Sequence, residues 1–207
     1  MKKIIIFILV SLFILPGFSE EAIFLSEDIN IMYDNSIWGE LIDDSINVIT
    51  LSSVINEGYV ALFNSDILDD YEFIYLSESG RNILTKMIDK YLNWEKLAIL
   101  KDVTISKEIP NLKIPVFAYY TSMNEPHIVK GLTLTASFHS VSSKEHYLIL
   151  ETDEKEDRDN EYLSYSMDPW YFSHDSAISL KNSIAKENIL KKIEEYNKQE
   201  ELENEFI

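Results

Sequence analysis

The sequence has no cysteine among its 207 residues. A chain without cysteine forms no disulfide bond and no thiolate metal site, and it has no cysteine nucleophile and no cysteine to carry an N-terminal lipid. We therefore expect its folded state to depend on a hydrophobic core alone, and the chain is long enough to build one.

Glycine is also scarce, with five residues spread far apart at positions 17, 39, 58, 80 and 131. Loops that hold phosphate groups on backbone N–H groups need several glycines at short fixed offsets, so this type of nucleotide site is excluded.

Common catalytic motifs are also missing. Zinc proteases need two histidines one helical turn apart with a glutamate between them, and the sequence has no such spacing. The Ser-x-x-Lys match from Ser183 to Lys186 lacks the companion motifs of serine acyl-transfer enzymes. We identify no catalytic residue, no cofactor site and no metal site from these patterns.

Basic residues are half as numerous as acidic ones, 18 against 36, and the formal net charge is −18 at pH 7. Nucleic acids and anionic lipid surfaces are bound through clustered lysine and arginine side chains. The excess of negative charge therefore argues against both classes of partner and favours solubility.

Long apolar runs are missing except at the N-terminus, where Lys2 and Lys3 precede twelve apolar-dominated positions from Ile4 to Leu15. This pattern is typical of a secretory signal peptide, here residues 1–19 with cleavage after Ser19. It is shorter than the roughly 20 apolar residues of a membrane-spanning helix. We predict an exported bacterial protein, soluble in the periplasm or the medium and without a stable membrane anchor. An uncleaved N-terminal anchor is the alternative.

Short β-branched and aromatic segments between residues 22 and 75 predict strands. Within them, residues 46–63 read as one hairpin that turns at Gly58, where a left-handed backbone is needed. After Gly80 the apolar residues recur at helical spacing, which predicts an amphipathic helix over about 79–100.

Residues 113–168 again contain short β-branched and aromatic segments that predict strands. We predict that they form a four-stranded antiparallel meander that ends at Pro169. A last helix is predicted over about 179–200, with a frayed tail at 200–207. These elements predict an α+β fold, in which antiparallel sheets of short strands are covered by a central amphipathic helix and a C-terminal helix. Residues 20–207 are predicted as a single domain, with one candidate sub-boundary near 101–112.

Alternation of side chains predicts the register of one hairpin in this meander. The even-numbered residues from Leu132 to Phe138 are apolar, as are Leu148 and Leu150, and both sets must face the core. Phe138 is therefore expected opposite Leu148, and Ala136 opposite Leu150. In that register His139 and His146 point to opposite faces, so they cannot chelate one ion together.

Three residues are candidates for binding. Glu95 projects from the apolar face of the central helix, where a buried carboxylate must find a partner or a proton. The alternative is an ordinary position at the edge of this face, with the carboxylate in water. Trp170 and Tyr171 follow Pro169 on an extended segment, where neighbouring side chains point to opposite faces. Trp170 shares its face with Phe172. This pair is either buried in the core or exposed, where it could stack on a ligand.

Two functions remain open from the sequence. The first is a non-catalytic binding or envelope-associated module with an unknown protein or small molecule as its partner. The second is a secreted hydrolase that uses two carboxylates, a chemistry that requires only a correctly spaced pair of acids. A cleft with convergent carboxylates favours the second function, and a shallow aromatic patch favours the first.

Overall fold

The structure is a computed structural model that describes residues 22–35, 40–51, 58–65, 71–122, 125–156 and 164–204. The predicted signal peptide, residues 1–19, lies outside this part of the chain. The strands are β1 (Ala22–Phe24), β2 (Ile29–Asn35), β3 (Glu40–Leu51), β4 (Val60–Ser65), β5 (Tyr71–Leu76), β6 (Lys107–Glu108), β7 (Ile114–Ser122), β8 (Glu125–Ser140), β9 (His146–Thr152), β10 (Lys155–Glu156), β11 (Ser164–Tyr165) and β12 (Trp170–Phe172). The helices are α1 (Glu78–Lys101), α2 (His174–Ser183) and α3 (Lys186–Asn204).

Eight of these strands close into an antiparallel β-barrel. The strand order is β3-β2-β12-β9-β8-β7-β5-β4, and β4 pairs back to β3. Strand β1 extends the pairing along the end of β3, β6 adds to β8, and β10 and β11 form a separate two-stranded sheet. The predicted α+β layout of sheets covered by helices on their faces is therefore wrong.

The closing strand explains this error. Trp170 of β12 lies opposite Tyr33 of β2 on one side and opposite Leu150 of β9 on the other. We predicted the fourth meander strand before Pro169, but Ser164 and Tyr165 pair with β10 and leave the edge of β9 to residues 170–172. A strand of three residues carries almost no periodic signal, so the sequence pattern did not indicate closure.

Several local predictions are confirmed. Strands β3 and β4 pair antiparallel, as predicted for residues 46–63, and Gly58 has a positive φ of 71°. The rest of the predicted turn lies outside the described residues, which omit 52–57. Strands β7, β8 and β9 form a meander in the predicted register, with Phe138 opposite Leu148 and Ala136 opposite Leu150.

The central helix is present as α1, and its ends follow from local chemistry. Ser77 caps its start by accepting a hydrogen bond from the Gly80 N–H at 3.2 Å, and Asp102 ends it in the left-handed region with φ 50°. The predicted last helix is instead two helices, because the chain turns at Ile184 and Ala185 between α2 and α3.

The core lies inside the barrel. One continuous cluster takes alternate side chains from all eight strands, and the apolar faces of α1 and α2 join it. Representative members, one for each strand, are Ile31, Val48, Leu62, Ile74, Ala118, Leu134, Leu148 and Phe172. A second, smaller cluster lies on the outer face of β3, β4, β5 and β7, where Phe63 stacks on Phe73 at 4.8 Å.

Helix α1 packs at one end of the barrel. A Cβ at Gly80 would come within 2.9 Å of Ile114, the first residue of β7, and Tyr91 donates a hydrogen bond to the carbonyl of His146, the first residue of β9. The opposite end of the barrel is therefore not covered by α1. None of the helices in the described part of the chain combines the length and apolar composition that crossing a bilayer requires.

Candidate functional site

A cavity opens at the end of the barrel away from α1, and we call it the mouth. It measures about 210 Å³. Its walls come from β2, β3, β4, β5, β7, β11 and β12 and from Asp168, between β11 and β12. The lining residues are Tyr33, Asp44, Asn64, Tyr71, Glu72, Tyr120, Thr121, Tyr165, Asp168 and Trp170.

Strand alternation places Tyr33, Asp44, Asn64, Glu72, Tyr120 and Trp170 inside the barrel. Tyr71 and Thr121 are in phase with Phe73 and Tyr119 on the outer face. Glu72 lies opposite Asn64 of β4 and opposite Tyr120 of β7, and it shares its face of β5 with Ile74 and Leu76 of the core. The floor of the mouth is therefore continuous with the hydrophobic core, and its rim is polar.

Aromatic rings form one wall of the mouth. Tyr120 stacks on Tyr165 with ring centroids 4.6 Å apart, and on its other side it stacks on His127 at 5.0 Å. Trp170 and Tyr165 are buried, with 3% and 7% of their surface exposed. These rings are held by packing, so the wall is present before any ligand arrives.

Glu72 is the central polar group of the mouth. Its carboxylate accepts a hydrogen bond from the Tyr165 hydroxyl at 2.5 Å. Burial, opposed by this hydrogen bond but reinforced by the negative charge of Asp168, raises the pKa of Glu72 from 4.5 to about 7. A carboxyl group with that pKa exchanges its proton near neutral pH.

The third acid, Asp44, is partly engaged within the protein. One of its oxygens accepts from the Asn64 side chain at 2.7 Å, and the other accepts from the backbone N–H of Ser45 at 2.7 Å. No lysine or arginine is among the described residues that line the mouth. The mouth therefore offers a ligand hydrogen-bond acceptors and aromatic rings, and its electrostatic potential is negative.

Glu95, predicted as a binding residue, lies elsewhere. It is buried, with 7% of its surface exposed, and does not lie at the edge of the apolar face of α1 with its carboxylate in water. Tyr91 donates to one carboxylate oxygen at 3.1 Å, and Nδ1 of His174 lies 2.5 Å from the other. This cluster joins α1 to α2 at the opposite end of the barrel from the mouth.

The other two candidates lie on opposite faces of β12, as alternation predicted. Trp170 faces inward and lines the mouth, whereas Tyr171 faces outward, where His139 and Tyr147 meet it edge-on at 6.3 Å each. Of the three candidate residues, the structure therefore places only Trp170 in the mouth.

Sequence reasoning missed Glu72. A signal for it exists in the β5 segment YEFIYL, where Glu72 alternates in phase with Ile74 and Leu76.

No three histidine, aspartate or glutamate side chains of the described residues converge closely enough to hold a metal ion. No protein-family model, curated protein or solved structure matches the chain.

Proposed function

We propose that the protein is an exported, non-catalytic binding protein that takes a small organic cation in the barrel mouth. One observation carries this proposal: a preformed cavity with an aromatic wall is also lined by the carboxyl group of Glu72. Binding sites for small molecules are typically concave, with a few polar groups placed among apolar and aromatic surfaces.

The lining favours a cation over an anion. Glu72 and Asp168 attract positive charge, and the rings of Trp170 and Tyr165 offer cation–π contacts. An anionic ligand would meet these acids with no described lysine or arginine to balance them. Cation binding also favours the ionised form of Glu72, so affinity is expected to rise as the pH rises through about 7.

Choline and its uncharged isostere 3,3-dimethyl-1-butanol provide a matched pair of probes. We expect choline to bind more tightly, more so at pH 8 than at pH 6, and to be weakened roughly two- to tenfold by Glu72→Gln. Calorimetric titration measures the affinity, and chemical shifts of the Trp170 indole locate the site. Equal affinity for the two probes, or choline binding that Glu72→Gln leaves unchanged, would refute the proposal.

A hydrolase that uses two carboxylates is the second candidate. It is favoured by Glu72, whose raised pKa suits a general acid, and by the nearby charge of Asp168. A panel of nitrophenyl glycosides tests this function. Turnover that both Glu72→Gln and Asp168→Asn abolish would replace the binding function with the enzymatic one.

Export is a separate part of the proposal and is supported by the Lys-Lys and apolar pattern of residues 1–19. Mass spectrometry of the protein from its native host should find a chain that begins at or near Glu20. A full-length chain recovered with the membrane fraction would contradict cleavage.

A further inference from the structure

A second cavity lies at the C-terminal end of α1, on the side of the molecule away from the mouth. It measures about 300 Å³, and its lining includes Trp94, Leu97, Lys101, Val103, Ile105 and Lys107. We call it the Trp94 cavity. Its floor is the ring of Phe138, which is buried in the core and meets Trp94 edge-on at 6.1 Å.

Exposed apolar side chains concentrate around this cavity. Of the ten large hydrophobic residues exposed in the described part of the chain, five lie between Leu97 and Ile105. Leu97, Val103 and Ile105, which line the cavity, have 48%, 41% and 49% of their surface exposed. Single exposed apolar residues are ordinary, but a contiguous group marks an interaction site.

Lysines surround the same cavity in a chain with a formal net charge of −18. The Nζ atoms of Lys90 and Lys107 lie 5.2 and 5.7 Å from the centre of the Trp94 ring, and Lys101 lines the cavity beside them. No carboxylate of the described residues pairs with Lys101 or Lys107 within 4.0 Å. Their charge is therefore available to a ligand.

We infer that the Trp94 cavity binds a single-chain anionic amphiphile, with its acyl chain between Leu97 and Ile105 and its head group at Lys101 and Lys107. Apolar walls supply affinity for the chain, and the two ammonium groups supply selectivity for a negative head group. The site is independent of the mouth, which has the opposite charge and lies at the other end of the barrel.

A second copy of the chain is a poorer occupant. A symmetric contact would bring the lysines of both copies together, and the two copies would repel through their net charge. A bilayer surface would also cover the exposed leucines. Binding to vesicles but not to the free amphiphile would distinguish a bilayer from a single amphiphile as the occupant.

Three probes with the same twelve-carbon chain test the charge selectivity. Dodecanoate and dodecyltrimethylammonium are used below their micelle-forming concentrations, and dodecanol is used below its solubility limit. We expect saturable one-to-one binding of dodecanoate, at least about fivefold tighter than that of dodecanol. Calorimetry measures the affinity, and the indole N–H resonance of Trp94, assigned with Trp94→Phe, reports the location.

Variants on the exposed surface should fold normally and change only binding. Lys101→Gln combined with Lys107→Gln should reduce the dodecanoate affinity to that of dodecanol, and Leu97→Asp should weaken both probes about tenfold or more. Lys86→Gln, an exposed lysine on the same helix, should leave binding unchanged.

Three results would overturn the inference. Dodecanol could bind as tightly as dodecanoate, dodecanoate could fail to saturate below its micelle-forming concentration, or binding could occur only to vesicles that contain phosphatidylglycerol. The last result would assign the surface to a bilayer.

Discussion

At the scale of single residues, Glu72 has the most direct expected effect. Its raised pKa makes both the charge of the mouth and the free energy of unfolding depend on pH. Its carboxyl is ionised in the unfolded chain above about pH 4.5, but in the folded protein it keeps its proton to about pH 7. The folded state therefore binds more protons in this interval. The contribution of Glu72 to the free energy of unfolding consequently falls as the pH rises from 4.5 to 7, and it levels off above that.

Glu72→Gln removes this pH dependence, while its amide oxygen can still accept from Tyr165. We expect the stability of the variant, relative to the natural protein, to increase from pH 4.5 to pH 7 and then to stay constant. Urea unfolding at a series of pH values measures the difference. Glu108→Gln, at an exposed position, is the control, and a difference for Glu72→Gln that does not vary with pH would contradict the raised pKa.

Glu95 provides a second test at this scale. Glu95→Gln removes the carboxylate that lies beside Nδ1 of His174 and alters the hydrogen bond from Tyr91, so we expect a loss of about 1–3 kcal/mol in the free energy of unfolding. Glu200→Gln, on the exposed surface of α3, should change it by less than about 0.5 kcal/mol. Equal effects in denaturant unfolding would show that the cluster has no structural role.

The two glutamates also show what the sequence could indicate about sites. Glu95 was predictable because it interrupts a long apolar helical face, on which one acid is conspicuous. Glu72 was not identified because both faces of β5 are apolar or aromatic, with Tyr71, Phe73 and Tyr75 on the other face. Its partner Tyr165 is 93 residues away in the sequence, so no local pattern connects them.

At the scale of elements, local periodicity predicted most strands, the helix α1 and the register of β8 with β9. Local periodicity failed to predict elements that are very short, and it failed where tertiary contacts determine where a helix ends. Residues 170–172 are too few to show alternation, and the turn at Ile184 contains neither glycine nor proline to mark it. Hence one predicted helix became two.

The contact between α1 and β7 gives a prediction at this scale. Alanine normally favours a helix over glycine, but a Cβ at Gly80 would lie 2.9 Å from Ile114 Cγ2. We expect Gly80→Ala to cost about 1–3 kcal/mol of stability. In denaturant unfolding, Gly80→Ala and Ile114→Ala together should cost less than the sum of the single variants, because the smaller side chain relieves the clash. Additive costs, or a more stable Gly80→Ala, would show that the helix packs differently.

At the scale of the whole molecule, closure of the sheet creates the mouth. An open sheet with the same strands would expose Glu72 to solvent, and it would remove Trp170 from the lining of the mouth. Closure depends on the long-range pairing of β12 with β2, together with its pairing with β9. The sequence could not predict this arrangement, since pairing between distant strands is decided by tertiary packing and not by local propensity.

The most direct test of this account is a set of cross-strand nuclear Overhauser effects at Trp170. The closed barrel predicts backbone proton contacts from Trp170 to Tyr33 and also from Trp170 to Leu150. Contacts from Leu150 to residues 162–167 in place of Trp170, with none between Trp170 and Tyr33, would mean an open sheet and would remove the mouth on which the proposed function depends.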